Sequence, residues 1–502
     1  MPVIDSKKSF VIFIVVAIAL VALGNLVSRN FFFRLDLTEN QIYSLSPSSK
    51  VILEKIDDFL TAKVYFSENL PGQYGNTRRY LQDILEEYAA YSDGNFRFEF
   101  YRPDDDEKLA LDAQKSGIQP VQLQVLENDK FEVKRIYMGM VLLYGDKREV
   151  LPVIQTTTGL EYEITTRIKK LVDDNRSVVG VANTGDSAPA MERVSARLRE
   201  AYDVRSVFLS AGVPDDIEML LVNGVVDSLS EDALGALRNY INSGGNLFLA
   251  QSKINGDLQA QRGTPIQSNI FEVLEPFGVS LADNLVMDRI CGTVTVSQQR
   301  GFLRFNSAVE YPFFPVLQSF PDHEIVSGLE QVQMLFSSEI VYDTADSTRL
   351  VKPLLVTSDH SGAAAGFINL NPIQNQAFQS LNEPGKIVGV YATATSDSLE
   401  NVMSQLVLVS SSDFLLDNGG GQVPSNGIFV MNAVDVLIGD RDLVALRSRE
   451  ITTRPLQTVE DTTRTTVKTL NIVLPVLLVI VLGLVQWRLV VARAKRLEAL
   501  YE

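Results

Sequence analysis

Thiol and imidazole chemistry have almost nothing to work with in this chain of 502 residues, which holds one cysteine, Cys291, and two histidines, His323 and His360. A single cysteine excludes an intrachain disulfide. That fits a reducing cytosol, and equally an extracytoplasmic domain large enough to be held together by its core. There is no Cys-x-x-Cys pair, so thiol–disulfide exchange is excluded. No Gly-x-Ser-x-Gly elbow and no Gly-x-x-x-x-Gly-Lys-[Ser/Thr] phosphate loop occurs, so the chain is not itself an ATPase. Zinc needs three or four clustered ligands, which two scattered histidines and one cysteine do not supply. Cys291 lies in the strand-like "DRICGTVTV", His323 precedes "EIVSGLE" and His360 sits in "TSDHSGAAAG", none beside a motif partner. Cys291 reads as a strand residue and the two histidines as turn or surface residues, with no catalytic residue, metal or cofactor expected. Excess positive charge is missing too: 45 Lys and Arg stand against 62 Asp and Glu, a net −17. Nucleic acid, which is held by clusters of Lys and Arg, is therefore not an expected partner.

Apolar runs are present, and there are two. Residues 9–27, "SFVIFIVVAIALVALGNLV", match the roughly 20 residues a spanning helix needs and follow Lys7 and Lys8. The run exceeds the 7–15-residue core of a cleaved signal, so it reads as an uncleaved anchor. Residues 470–491, "LNIVLPVLLVIVLGLVQWRLVV", carry Trp487 and Arg488, an interfacial pair, near their end, and run into the basic residues Arg493, Lys495 and Arg496. Basic flanks face the cytoplasm. Residues 1–8 and 492–502 are then cytoplasmic, and everything between the spans is outside. Phe31, Phe32 and Phe33 follow the first run with no flexible spacer and suit the membrane interface.

Two blocks fill the outer region. In residues 31–175, Ser46 and Pro47 are a helix-start signal, and Ile52, Leu53, Ile56 and Leu60 share an apolar face. Strand and helix patterns then alternate up to "LEYEITTRIKKLV" (160–172), an order that reads as a thioredoxin-like α/β layer. In residues 177–446, buried-strand runs such as "SVVGVA" and "IEMLLVNG" alternate with helices. Ser230 caps one of these and Gly244 ends it, which argues for a mostly parallel, doubly wound sheet. Residues 447–469 are polar and Thr-rich, and read as a connector. The loop "NTGDSAP" brings Asn183, Thr184, Gly185 and Asp186 to the end of the block's first strand, where doubly wound folds bind ligands. It is a candidate ligand or partner loop, with a plain connection as the alternative. "SSSDFLLDNGGG" (410–421) carries Asp413, Asp417 and Asn418, but its spacing misses the calcium-loop pattern and reads as a turn.

With these pieces in order, the chain resembles the auxiliary subunits of ABC transporters of the gliding-motility GldG type. The resemblance is carried by "RLDLTENQIYSLSPSSKVILEKI", "RIYMGMVLLYGDKREVLPVI", "LEYEITTRIKKL", "HEIVSGLE" and "SSDFLLDN…NGIFVMNAVDVLIGDRDLVALRSR", in that order. It implies a permease partner, a cytoplasmic ATPase supplied by another chain, and an α/β extracytoplasmic region in a bacterial inner membrane. A homo-oligomer is compatible with it. The second block also looks like class I amidotransferase folds without their Cys–His pair. Where a Gly-His-Gly-Glu-like turn is expected of relatives, this chain has Asn183-Thr184-Gly185-Asp186. The expected role is a non-catalytic subunit binding a substrate or partner. A stand-alone envelope scaffold and an extracytoplasmic hydrolase remain the alternatives. Reporter fusions at residue 2 and residue 502 should both read as cytoplasmic, and an outside signal at 502 would rule this topology out.

Overall fold

The computed structural model describes residues 44–447 and 461–501, except 69, 71, 128–129, 174–175, 185–189, 301–302, 344–348, 396–402, 441–442 and 445, together with Phe13 and Val16. The expected first span (9–27) otherwise lies outside the described residues, as do Phe31, Phe32 and Phe33. Residues 1–452 form one compact unit and 453–502 a second.

The first layer begins at α1 (Pro47–Leu53). Its cap is Ser46, whose side chain accepts the Ser49 amide hydrogen at 3.1 Å, with Pro47 in the first turn where no N–H is needed. The capped end is pinned to α4 (Leu160–Val172), where the buried Glu161 carboxylate accepts from the Ser46 amide and from the Ser49 hydroxyl, both at 2.7 Å. The hydroxyls of Ser49 and Tyr88 also bond Thr165, so this buried polar cluster is internally satisfied. Between these helices run β1 (Leu60–Phe66), α2 (Gly72–Tyr91), β2 (Phe96–Tyr101), α3 (Glu107–Lys115), the hairpin β3 (Val121–Glu127) and β4 (Lys130–Ile136), β5 (Met138–Tyr144) and β6 (Lys147–Leu151). The sheet order is β2-β1-β5-β6, with β1 parallel to β2 and antiparallel to β5. Leu60, Ala62, Val64 and Phe66 alternate onto one buried face of β1, against Leu81, Leu85 and Ile164.

The second layer is a seven-stranded sheet. Its elements are β7 (Val178–Asn183), α5 (Glu192–Arg199), β8 (Asp203–Phe208), β9 (Met219–Asn223), α6 (Glu231–Asn242), β10 (Asn246–Ala250), β11 (Leu350–Val356), β12 (Ile387–Thr395), β13 (Met403–Val409) and α7 (Pro424–Ile438). The order is β11-β12-β13-β10-β9-β7-β8. Strands β8, β7, β9, β10 and β13 are parallel, and β12 and β11 add an antiparallel edge. Helices cover both faces, which is why "MLLVN" is buried at every position instead of alternating. One face packs Val179, Leu221 and Phe248 against α5 and α7. The other packs Leu220, Leu247 and Leu249 against α6. Inserted between β10 and β11 is a small-sheet region with a long ribbon, Cys291–Arg300 paired with Leu303–Leu317.

The two layers meet in one buried cluster. After α7 the chain sends Leu443 and Leu446 into the first layer's core and Val444 into the second's. Arg447 follows, buried, with its guanidinium 2.8 Å from the fully buried Asp435 carboxylate, 2.5 Å from the Tyr162 hydroxyl and bonded to Asn432. Its plane also lies over the Tyr162 ring at 4.4 Å, and the Tyr202 hydroxyl donates to Asp435. The end of the second block belongs partly to the first core, and Arg447 is a buried ion-pair partner, not the start of a solvated connector.

The second unit holds α8 (Asp461–Tyr501), so residues 461–469 of the expected connector are helical. Its stretch Thr462–Arg493 is long and apolar enough to cross a membrane, and Pro475 lies inside it. Replacing Arg447 by Met would leave Asp435 charged and unpaired in the core. The expected loss is about 3–5 kcal/mol of stability of the first unit. An Arg447→Met, Asp435→Leu double variant should recover most of it. Denaturant titration of the three proteins measures both effects.

Candidate functional site

The candidate loop begins where β7 ends. Its register with β9 pairs Val181 with Leu221, which carries the strand ends at Asn183 and Asn223 side by side. Strand β8 lies on one side of β7 and β9 on the other, so the strand order reverses here, the position at which open α/β sheets bind ligands. Asn183 and Thr184 are half-buried at this edge. Gly185 and Asp186, the other half of the candidate loop, lie outside the described residues.

A second loop, residues 410–421, closes over the same edge. Its serines are stitched to neighbouring segments: the Ser410 amide donates to the Val388 carbonyl, the Ser411 hydroxyl to the Leu335 carbonyl, and the Ser252 amide to the Ser412 hydroxyl. Its three glycines are there for close approach. A Cβ on Gly419, Gly420 or Gly421 would fall on the carbonyl oxygen of Asp413, Phe414 or Leu415 respectively. The Asp417 carboxylate accepts from the Glu192 and Arg193 amides, each at 2.9 Å, and so caps the start of α5 from a distant loop. Among the described residues no group of three or more His, Cys, Asp or Glu is placed to hold a metal.

Two polar side chains at this edge are not absorbed by the stitching. The Asn223 side-chain oxygen is buried, with the residue 4% exposed, and has no hydrogen-bond partner among the described residues. Asp413 is half-buried and burial pushes its carboxyl up; no cation pairs with it among the described residues. The residue after β9, Gly224, has φ +60°, and a Cβ there would sit 3.3 Å from the Ser412 carbonyl oxygen. The 410–421 loop therefore reaches across β10 to the end of β9. Sequence reasoning missed Asn223, whose only signal is a polar residue closing a wholly apolar strand.

The three residues with nucleophile or imidazole chemistry have local roles. Cys291 opens the ribbon, half-buried, and burial pushes its thiol up. His323 caps the short helix Glu324–Val326, its Nδ1 accepting the Ile325 amide at 3.3 Å, and its ring packs on Tyr391. His360 is exposed in a turn, its amide donating to the Ser358 hydroxyl. Trp487 and Arg488 lie exposed on α8 near the end of its apolar stretch.

Fold and site together define a two-layer α/β protein whose strand-end edge is polar and lacks an assembled nucleophile and base among the described residues, and which carries a helix fit to cross a membrane. Residues 176–429, just over half of the chain, match the family of the ABC-type uncharacterized transport system, and the chain belongs to that auxiliary family. Residues 39–143 match a domain of unknown function. An uncharacterized protein of Borreliella burgdorferi is 24% identical over 445 residues, 84% of this chain and 85% of that one. Among solved structures, the mmIFT52 N-terminal domain is 12% identical, covering 52% of this chain and 97% of its own, with a TM-score of 0.34. A ThuA-like protein from Bacteroides uniformis is 9% identical over 52% of this chain and 90% of its own, with a TM-score of 0.31. Likeness at that level carries no functional argument.

The raised thiol gives a direct test of Cys291. The thiolate is the reactive form, so iodoacetamide should modify native Cys291 several-fold more slowly at pH 7.5 than it modifies the urea-unfolded chain. The native rate should rise towards the unfolded one only at higher pH. Modification of the native protein as fast as the unfolded chain at pH 7.5 would show an activated thiol instead.

Proposed function

We propose that the chain is a non-catalytic auxiliary subunit of an ABC transport complex of the gliding-motility GldG type, anchored at both ends in a bacterial inner membrane. Its outer layers face the periplasm and bind a substrate or a partner. Family membership over residues 176–429 is the observation that carries the transport role. The apolar helix Thr462–Arg493 and the apolar run at 9–27 support the two anchors, and the basic residues beyond each end support the orientation. In this reading a permease contacts the two membrane helices, and a separate ATPase works through the permease.

The finer fold reading belongs here too. The order β2-β1-β5-β6, with a parallel first pair and antiparallel second half, supports a thioredoxin-like first layer. Five parallel strands with helices on both faces support an amidotransferase-like second layer. Neither brings its chemistry along, since the chain lacks both a Cys-x-x-Cys pair and a Cys–His dyad in register. A short docked entry also suits a working subunit. Ser46, thirteen residues beyond Phe33, is fixed to Glu161, and in this reading the first layer stays close to the bilayer.

Purification of the tagged chain from mild detergent, followed by mass spectrometry, should recover a multi-span permease and a phosphate-loop ATPase in stoichiometric amounts. Recovery of the chain alone, or with envelope proteins only, would favour a stand-alone scaffold. Replacing residues 470–491 by a generic Leu/Ala helix with the same flanking charges should lower permease recovery several-fold, because docked membrane helices depend on close packing and interhelical hydrogen bonds.

A further inference from the structure

We propose that one face of α8, carrying Asn471, Pro475 and Gln486, is the docking surface for a membrane-spanning helix of another chain, one whose apolar stretch is flanked by acidic residues. In the transport reading that chain is the permease, and this identification of the partner rests on that reading. The face itself rests on the chemistry of the helix. None of its apolar stretch is buried in the structure. Lipid solvates Leu, Ile and Val, but offers no donor or acceptor to an amide. Residues 470–491 hold two side-chain amides, Asn471 and Gln486, and both are exposed. Pro475 adds a third unanswered group. It has no N–H, so the Asn471 carbonyl loses the donor that an α-helix supplies from four residues further on. A side-chain amide and a freed carbonyl therefore meet at one residue. Polar groups at membrane depth are costly against lipid and turn towards protein.

Helical geometry puts these groups together. At about 100° per residue, Asn471, Pro475 and Gln486 fall within an arc of about 60°, and Arg464, Lys468 and Arg493 fall within the same arc beyond the two ends of the apolar stretch. Trp487 and Arg488 lie off it. The face is thus amide-bearing in its middle and basic at both ends. That pattern selects the occupant. A second copy runs in the same direction, so pairing through this face would set Arg464, Lys468 and Arg493 against the same residues of its neighbour. The chain's own first apolar run starts beside Lys7 and Lys8, again of the same sign. A helix of a different chain fits, with hydrogen-bonding side chains at two levels roughly 22 Å apart along the axis and Asp or Glu beyond its ends.

Photocrosslinking tests the face directly. The full chain carries benzoylphenylalanine in place of Leu482 or Leu489, which lie on the arc, or in place of Val473 or Ile480, which lie opposite, and is irradiated in native membranes. The two arc positions should give an adduct with one multi-span protein, several-fold more than the opposite pair, and the crosslinked span should be flanked by Asp or Glu. Combining Asn471→Leu with Gln486→Leu makes the helix more apolar and so preserves its insertion. This double variant should lower the adduct from position 482 several-fold. Equal adducts from both faces, no protein adduct from the arc, or an adduct unchanged in the double variant would each overturn the proposal. So would an adduct with a second copy or with residues 9–27 of the same chain, or a partner span with basic flanks only. An arc-specific adduct with an acid-flanked span that belongs to no transporter would uphold the face and refute the transport reading instead.

Discussion

The architecture hangs on the buried pair between Asp435 and Arg447. A carboxylate with no exposure and an almost fully buried guanidinium are each expensive to remove from water, and their attraction offsets that cost only with full hydrogen bonding. The fold supplies it: Tyr202 donates to Asp435, while Asn432 and Tyr162 accept from Arg447. Burial pushes the Asp435 carboxyl up, and the neighbouring guanidinium pulls it back. Tyr162 comes from the first layer, Tyr202 follows α5 of the second, and Asp435 and Asn432 lie on α7. One cluster therefore fixes both layers and the strap that leaves them. Loss of either charged member alone leaves the other buried without its counter-ion, while loss of a neutral member removes one hydrogen bond from the pair.

That joint also explains why the chain returns to its first layer before leaving. Leu443 and Leu446 complete a core begun by Leu45, Ile52 and Leu53 near the other end of the outer region. Entry and exit segments are thus both built into the first layer, one through Glu161 and the other through these leucines and Arg447.

The polar edge of the second layer follows a different economy. Most of its side chains are consumed in holding loops: Gln251 bonds Val225 through both backbone groups, and Ser252 pairs with Ser412. Such stitching makes an edge rigid without making it reactive. The lone thiol and the two imidazoles are spent elsewhere, in a ribbon, a short-helix cap and a turn.

Local signals in the sequence determined a good deal. Ser46 and Ser230 cap helices through their own hydroxyls, Gly244 takes φ +91° after α6, and the apolar run at 470–491 lies within a single long helix. Each depends on neighbours a few residues away, so composition and spacing suffice to read it. The near absence of thiol and imidazole likewise narrowed the chemistry before any fold was known. Tertiary structure alone decided the pairings. Tyr162 and Arg447 are 285 residues apart, and nothing in the polar run after Leu446 marks an arginine for burial. Asp417 reads as a turn residue until α5 is brought to it, and Asn223 reads as the end of an apolar strand until the loop from β13 arrives above it. Hydrophobic periodicity specifies which face of an element turns inward. It does not specify which buried polar group will meet which, because that depends on how the faces are finally stacked.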